Sequence, residues 1–583
     1  MSIQKKSAKT KKAKLTPQQK KDKARQREHI RQIRQVFRNA GFSHIPEMEG
    51  KILKFEDAET DFDDFFVHEN VIVLIEYTTS NESHVADHLL KKNYPFSKIN
   101  KSQEKFVAYL RYQFSHVKAY FHEKYDNHHF KVVILYASRN ELKPTAKQKC
   151  TSVIYFDYEY LKYFLSVSGT VKRSSKYELL EFMGVQAKEF GERAIKPGSI
   201  STSAFQGSIL PEPNSHFPVG YKVVSFYVDP ETLLERAYVL RRNGWRSEGN
   251  IYQRMISRAK VEAIRRHLLD KKGVFINNII VTLPDNTNLL DANGKTIDVS
   301  SIKKTEPATV SISSGYNSIG LVDGQHRVFS YYEGGPEEAK IATLRQQQNL
   351  LATGILFPLG TSDEDKAIFE ARLFLDINSN QSSAKAELKQ EIGLILRPSS
   401  AESIARSVLN KINNSNGPLA KEFQKYFWEN NKIKTTTVVS YGLRPLVRIK
   451  SEDGFYANWA HESKDKITED KFDRAVLDEY IAHCVAEINM FISAAKYNLP
   501  SDKWTADKKI DGRLLTTTVV NGMISCIRQL VAHNKTGNFE YYKNKLNGIS
   551  KFEFRKYKSS GYNAMGVDLS REYFGINGQD QIK

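Results

Sequence analysis

Ile30, Ile33, Val36 and Phe37 recur at helical spacing and stop at Asn39-Ala40-Gly41, which predicts an amphipathic helix. Short apolar runs then predict strands at 51–55, 62–67 and 71–78, the last built on Val71-Ile72-Val73-Leu74-Ile75. A helical stretch follows over 84–123, with a break expected at Tyr94-Pro95. Two more buried strands are predicted at 130–136 and 153–156. The order is α-β-β-β-α-β.

Loop-forming residues then collect at 198–203 and 210–215, with a helical pattern at 177–183 just before them. This places a partly structured linker at 166–215. Strands are predicted at 221–228 and 277–283, the second stopping at Pro284. Between them, Val261, Ile264 and Leu268 mark a helix. A buried strand at 317–322 runs into Asp323-Gly324, and a helix can follow over 328–332. From Ala384 onward helical stripes dominate. One holds Phe472, Val476, Leu477, Ile481, Val485 and Ile488; another holds Leu514, Val519, Val520, Met523, Ile524 and Leu530. Both read as core faces. The expected fold class is α/β multidomain: a basic arm at 1–27, a first domain at 28–165, the linker, a central domain at 216–385 and a mainly helical region at 386–583.

Charge changes this picture most. The chain of 583 residues carries a formal net charge of +20, which favours a polyanionic partner, with nucleic acid fitting best. Lys5, Lys6, Lys9, Lys11, Lys12 and Lys14 come without an intervening acid. Such a block is disordered alone and can follow a DNA backbone, or serve only as a solubilising tail. Lys432, Lys434, Arg444, Arg448 and Lys450 surround Tyr441, and residues 551–558 mix Phe and Tyr with Lys and Arg. Basic residues interleaved with aromatics can hold phosphates and stack bases. Cys150, Cys484 and Cys526 lie far apart and form neither a metal spacing nor a disulfide framework, which fits a reducing cytosol. No apolar run of about 18 residues is present, so no membrane span is expected. The expected location is cytoplasmic and nucleoid-associated. A homo-oligomer is left open.

The candidate chemistry centres on Asp323-Gly324-Gln325-His326-Arg327. A strand ending in Asp-Gly and opening a helix gathers free backbone N–H groups at one point. Arg327 offers a planar fork for phosphate oxygens, His326 can donate or exchange a proton, and Asp323 can cap the helix. The alternative is an Asp-Gly turn whose Arg pairs with a nearby carboxylate. The pentapeptide resembles the signature of DGQHR-domain proteins, which include DndB-type proteins of DNA phosphorothioation systems. That domain is similar to the ParB/sulfiredoxin fold. Ile251-Tyr252-Gln253-Arg254 and Phe374-Leu375-Asp376-Ile377-Asn378 resemble two further blocks of the same family, in the same order. The resemblance implies ATP or another NTP, with Mg²⁺, held by Asp323, Gly324, Gln325, His326, Arg327, Gln253, Arg254, Asn378 and Asn380. His326, Arg327 and Asp376 would be catalytic. Asp376 would orient His326, pair with Arg327 or bind the nucleotide's metal. Gln325 stands where sulfiredoxins carry Cys, so no thiol chemistry is expected.

The strand and helix order of residues 28–165 resembles the restriction-endonuclease-like core with its PD-(D/E)xK motif. That resemblance implies a divalent metal on Asp64 and Glu76. Thr78 stands where the family has Lys. Lys91 or Lys92 on the following helix could reach in, and a degenerate domain that binds DNA without cutting it is the alternative. Three functions stay open: an NTP-hydrolysing DNA-associated protein of a DNA-modification or phage-defence system, a non-enzymatic DNA-binding regulator, or a metal-dependent nuclease. DNA and other modification or defence proteins are the expected partners.

Overall fold

A computed structural model of the chain describes residues 16–576, apart from 81, 197–201, 242–244, 247–252, 254, 314, 380–385, 427 and 470. The protein is a mixed α/β chain in two compact units. The first comprises residues 1–239 and 255–360, the second 240–254 and 361–583.

The first unit opens with helix α1, Pro17–Asn39. It starts about ten residues earlier than expected, so residues 16–27 are not part of a disordered arm. Thr16 and Gln19 form a capping box, with Pro17 in the first turn, and this stabilises a helix start in spite of the local charge. Residues 1–15 lie outside the described residues. The α1 side chains from Pro17 to Arg27 are exposed, whereas His29, Ile33, Val36 and Phe37 are buried.

Strands β1 (Ser43–His44), β2 (Asp64–His68) and β3 (Val71–Thr78) follow, then helix α2 (Glu82–Lys101), β4 (Lys131–Ser138) and β5 (Ile154–Tyr155). They form one sheet in chain order, with β1, β2 and β3 antiparallel and β3, β4 and β5 parallel. Helix α2 is the crossover that a parallel β3–β4 pair requires. Pro95 does not break it; the helix ends at Lys101 instead. Phe96, one residue after the proline, stacks on Phe62 with ring centroids 5.0 Å apart, and Leu89 and Ile99 are also buried. Tertiary packing of this face outweighs the hydrogen bond that proline removes.

His29 sits wholly inside this unit, its Nε2 donating to the Ala137 carbonyl at 3.1 Å. Burial pushes its pKa down from 6.5 to about 4. The unfolded chain therefore takes up the proton first. The resulting stability is present in full above about pH 6.5 and is lost as pH falls toward 4. The loss expected by pH 5 is about 2 kcal/mol. Hydrogen exchange of the β4 amides at pH 7.5 and pH 5 measures it, and His29→Gln, which keeps a donor for Ala137, is expected to flatten the difference.

The expected linker is ordered where described. It contributes β6 (Thr202–Leu210), an outer neighbour of β7 (Lys222–Val228), so it belongs to the next sheet. The remaining strands are β8 (Ala237–Tyr238), β9 (Ile279–Thr282), β10 (Asn288–Leu290), β11 (Glu306–Ser313), β12 (Ile319–Asp323) and β13 (Leu350–Leu356). Their order across the sheet is β8-β12-β9-β13-β7-β6-β11-β10. Gly207 of β6 lies against β7 so closely that a Cβ would come within 2.3 Å of the Ser225 carbonyl oxygen. This glycine, inside the stretch expected to be a partly structured linker, is thus a packing requirement within a strand. The division of the chain also differs from expectation: the two sheets share one unit, and residues 361–385, expected in the central domain, belong to the second.

The second unit is mainly helical. The helices Arg474–Tyr497 and Thr517–Ala532 carry the two predicted stripes, apart from Phe472 and Leu514, which precede them. Phe552 and Phe554 are buried in its core, so they are unavailable for stacking bases. Among the described residues, no helix is long and apolar enough to cross a membrane.

Candidate active site

Two adjacent aspartates at the start of β2 have different fates. In the β2–β3 register Asp64 faces Ile75, so Asp63 comes opposite Glu76. Successive side chains on a strand point to opposite sides. Phe65, Val67, Ile72 and Leu74 therefore share one core with Leu89 and Phe96 of α2, and Glu76 emerges on that side. Phe66 lies on the other side, stacked on Phe37 of α1 at 4.9 Å, and Asp64 emerges there. The expected pair of Asp64 and Glu76 is thus split between two faces. Asp63 is the carboxylate that accompanies Glu76.

On the α2 side, two residues one helical turn apart reach Glu76. Lys92 Nζ lies 3.2 Å from Glu76 Oε2, and His88 Nε2 lies 3.3 Å from Oε1. Lys92 also binds Asp61 at 2.7 Å and sits above the Phe62 and Phe96 rings. Lys91, its neighbour, is exposed. Of the two adjacent lysines, Lys92 is therefore the one that meets Glu76. His88 Nδ1 meets the Tyr136 hydroxyl at 3.3 Å.

Asp63 accepts the Tyr77 backbone N–H at 2.7 Å. Its residue surface is exposed at the sheet end, yet the surrounding protein desolvates the carboxyl. Desolvation raises its pKa to about 6; the Tyr77 N–H opposes the shift, and nearby Glu76 adds to it. A cation beside the two carboxylates would relieve that repulsion.

Asp64 is already satisfied. Arg34 of α1 grips it with two bonds of 2.8 and 2.7 Å, His44 adds one at 2.7 Å, and the Tyr77 hydroxyl donates another. Burial works against the charge, but His44, Arg34 and Tyr77 hold the carboxyl below its ordinary range. His44, Glu49 and Asp64 lie close enough to share an ion, but Arg34 already pairs with both carboxylates. The group anchors α1 to the sheet. Tyr77 is shared by the two faces, since its hydroxyl serves Asp64 and its backbone serves Asp63.

In the second sheet, β12 ends at Asp323, and the short helix Gln325–Phe329 follows at once. Gly324 makes the junction with φ +99°, where a Cβ would lie 3.2 Å from Ile279 side-chain carbons. Its carbonyl accepts the Arg327 and Val328 N–H groups at 2.9 and 3.1 Å. Gly324→Ala is expected to cost about 1–3 kcal/mol in a thermal melt, from a strained φ and this close approach. Asp323 does not cap the helix. It pairs with Arg327 Nη2 at 2.8 Å, and Arg327 Nη1 donates to the Asn277 carbonyl at 3.1 Å. The guanidinium expected to hold phosphate is thus spent on the turn itself. His326 Nε2 accepts the Ser257 N–H at 3.1 Å, and Gln325 is buried.

Of the other residues expected at this site, Gln253, Asp376 and Asn378 belong to the second unit. Gln253 is buried in the second unit, its N–H on the Leu240 carbonyl. Asp376 is exposed on the second unit's helix Asp363–Ser379, and Asn378 binds back to the Phe374 carbonyl of the same helix. Arg254 and Asn380 lie outside the described residues. Asp63, His88 and Asp61 had not been expected. Asp63 was legible from strand parity once β2 was paired with β3; His88 is one helical turn before Lys92.

No family model, curated protein or solved structure matches the chain.

Proposed function

We propose that the first unit is a metal-dependent DNA nuclease of restriction-endonuclease-like type. The observation that supports it best is Lys92 reaching from α2 to Glu76, opposite Asp63. Two carboxylates are hard oxygen donors suited to Mg²⁺ or Mn²⁺. Such an ion, when bound, makes water a nucleophile near neutral pH. Asp63 and Glu76 would hold it. Lys92 would place positive charge where a phosphodiester gathers negative charge, the task a strand lysine performs in the PD-(D/E)xK pattern. Asp64, Arg34 and Tyr77 would keep β2 and β3 in register beneath the site. The net charge of +20 and the exposed Lys20, Lys21, Lys23, Arg25 and Arg27 of α1 support DNA as the substrate.

The strand, left-handed glycine and short helix at 319–329 remain compatible with a DGQHR-type, ParB/sulfiredoxin-like domain in a DNA-modification or defence setting. Hydrolysis of ATP there is the weaker reading, because Arg327 is committed to Asp323 and Asn277. Cleavage of plasmid DNA with Mn²⁺, measured beside ATP turnover, separates the two. ATP turnover abolished by Arg327→Ala, with no DNA cutting by the wild type, would reverse the ranking.

A further inference from the structure

One exposed edge of the second unit is built differently from its surroundings. The helical segment 435–446 contains a π-helix, Val438–Leu443, between two short α-helical turns. π-Helical turns are rare and recur at functional sites. Gly442 permits this one, since a Cβ there would lie 2.6 Å from Oδ1 of buried Asn521. Val438, Val439, Gly442, Leu443 and Leu446 face the core, which leaves Thr437, Tyr441, Arg444 and Arg448 outside. Tyr441 is 58% exposed.

The same segment also carries a group of cations. Lys434, Arg444, Arg448 and Lys450 are all exposed, and none forms an ion pair among the described residues. Some other exposed cations of this unit pair with acids, as in Arg474–Asp478, Arg555–Asp511 and Arg571–Asp568. The run ends at an open pocket of about 820 Å³ where Glu452 and Glu469 join Arg448 and Lys450, so the charge becomes mixed there.

We propose that this edge binds single-stranded nucleic acid, with phosphates on Lys434, Arg444 and Arg448 and a base stacked on Tyr441. Unpaired cations match a phosphate backbone, and an exposed ring offers a face to an unstacked base that a duplex does not present. The inference is independent of the nuclease reading.

The test uses the full chain carrying Glu76→Gln, in EDTA, with a fluorescent single strand of about 20 nucleotides, long enough for the site sizes such grooves cover, and the matching duplex. Tyr441→Ala is expected to weaken single-strand binding about 5- to 100-fold and to leave duplex binding unchanged, while Tyr441→Phe retains it. Arg444→Gln with Arg448→Gln is expected to reduce the slope of log affinity against log salt by about 1.4, at about 0.7 for each phosphate no longer neutralised. These side chains are exposed, so the fold is retained, and a thermal melt checks this. Single-strand affinity unchanged in Tyr441→Ala, equal losses for duplex and single strand, or an unchanged salt slope would each overturn the proposal.

Discussion

Plasmid DNA incubated with the protein and Mn²⁺ is expected to be cut, and Lys92→Ala is expected to slow cutting by about 10²–10³-fold. Glu76→Gln and Asp63→Asn should abolish it, because each removes one of two carboxylates a divalent ion needs. The more telling variant combines Lys92→Ala with Thr78→Lys. Glu76 and Thr78 share a face of β3, two residues apart, so a lysine at 78 rises beside Glu76 from the strand. The same charge would then reach the site by the other route. Recovery of most of the lost rate would show that the position of the cation matters and its element of origin does not. A Lys92→Ala protein that cuts as fast as the wild type would remove Lys92 from the site. Absence of cutting by the wild type with both Mg²⁺ and Mn²⁺ would overturn the nuclease reading itself.

The largest stability effect is expected on the other face of the same strands. Arg34→Ala leaves the fully buried Asp64 without its two-bond partner. Breaking a buried pair from one side commonly costs about 3–5 kcal/mol. The lower end, about 3 kcal/mol, is expected here, since Arg34 is about a quarter exposed and His44 and Tyr77 still donate to Asp64. Asp64→Asn should cost less, as the amide keeps one acceptor for these donors. Hydrogen exchange of the β2 and β3 amides reads both directly. If Asp64 only anchors α1, its Asn variant should still cut DNA at a temperature where the first unit stays folded. If Asp64 binds the metal, the same variant should be inactive while folded.

Local pattern was enough for most elements of the first sheet. The run at 71–75 is apolar at every position, and β3 is buried on both faces between α1 and α2. The helical stripes of the last third are equally plain, because a face that must be buried writes its period into the sequence. The Asp-Gly junction between strand and helix was also legible, and in the structure its glycine takes a left-handed conformation. What lay beyond the sequence was decided by pairing. Asp63 and Asp64 are neighbours of the same type, and only the register against β3 assigns one to the Glu76 face and the other to Arg34. A shift of one residue would exchange them. Lys92 was one of two adjacent candidates, and the packing of Phe96 on Phe62 turns that one toward Glu76. Arg327 offered the same fork to a phosphate or to a carboxylate, and folding put Asp323 and the Asn277 carbonyl within its reach. Residue type sets what a side chain can bind, but which partner it meets depends on chain segments distant in sequence, and those come together only in the tertiary structure.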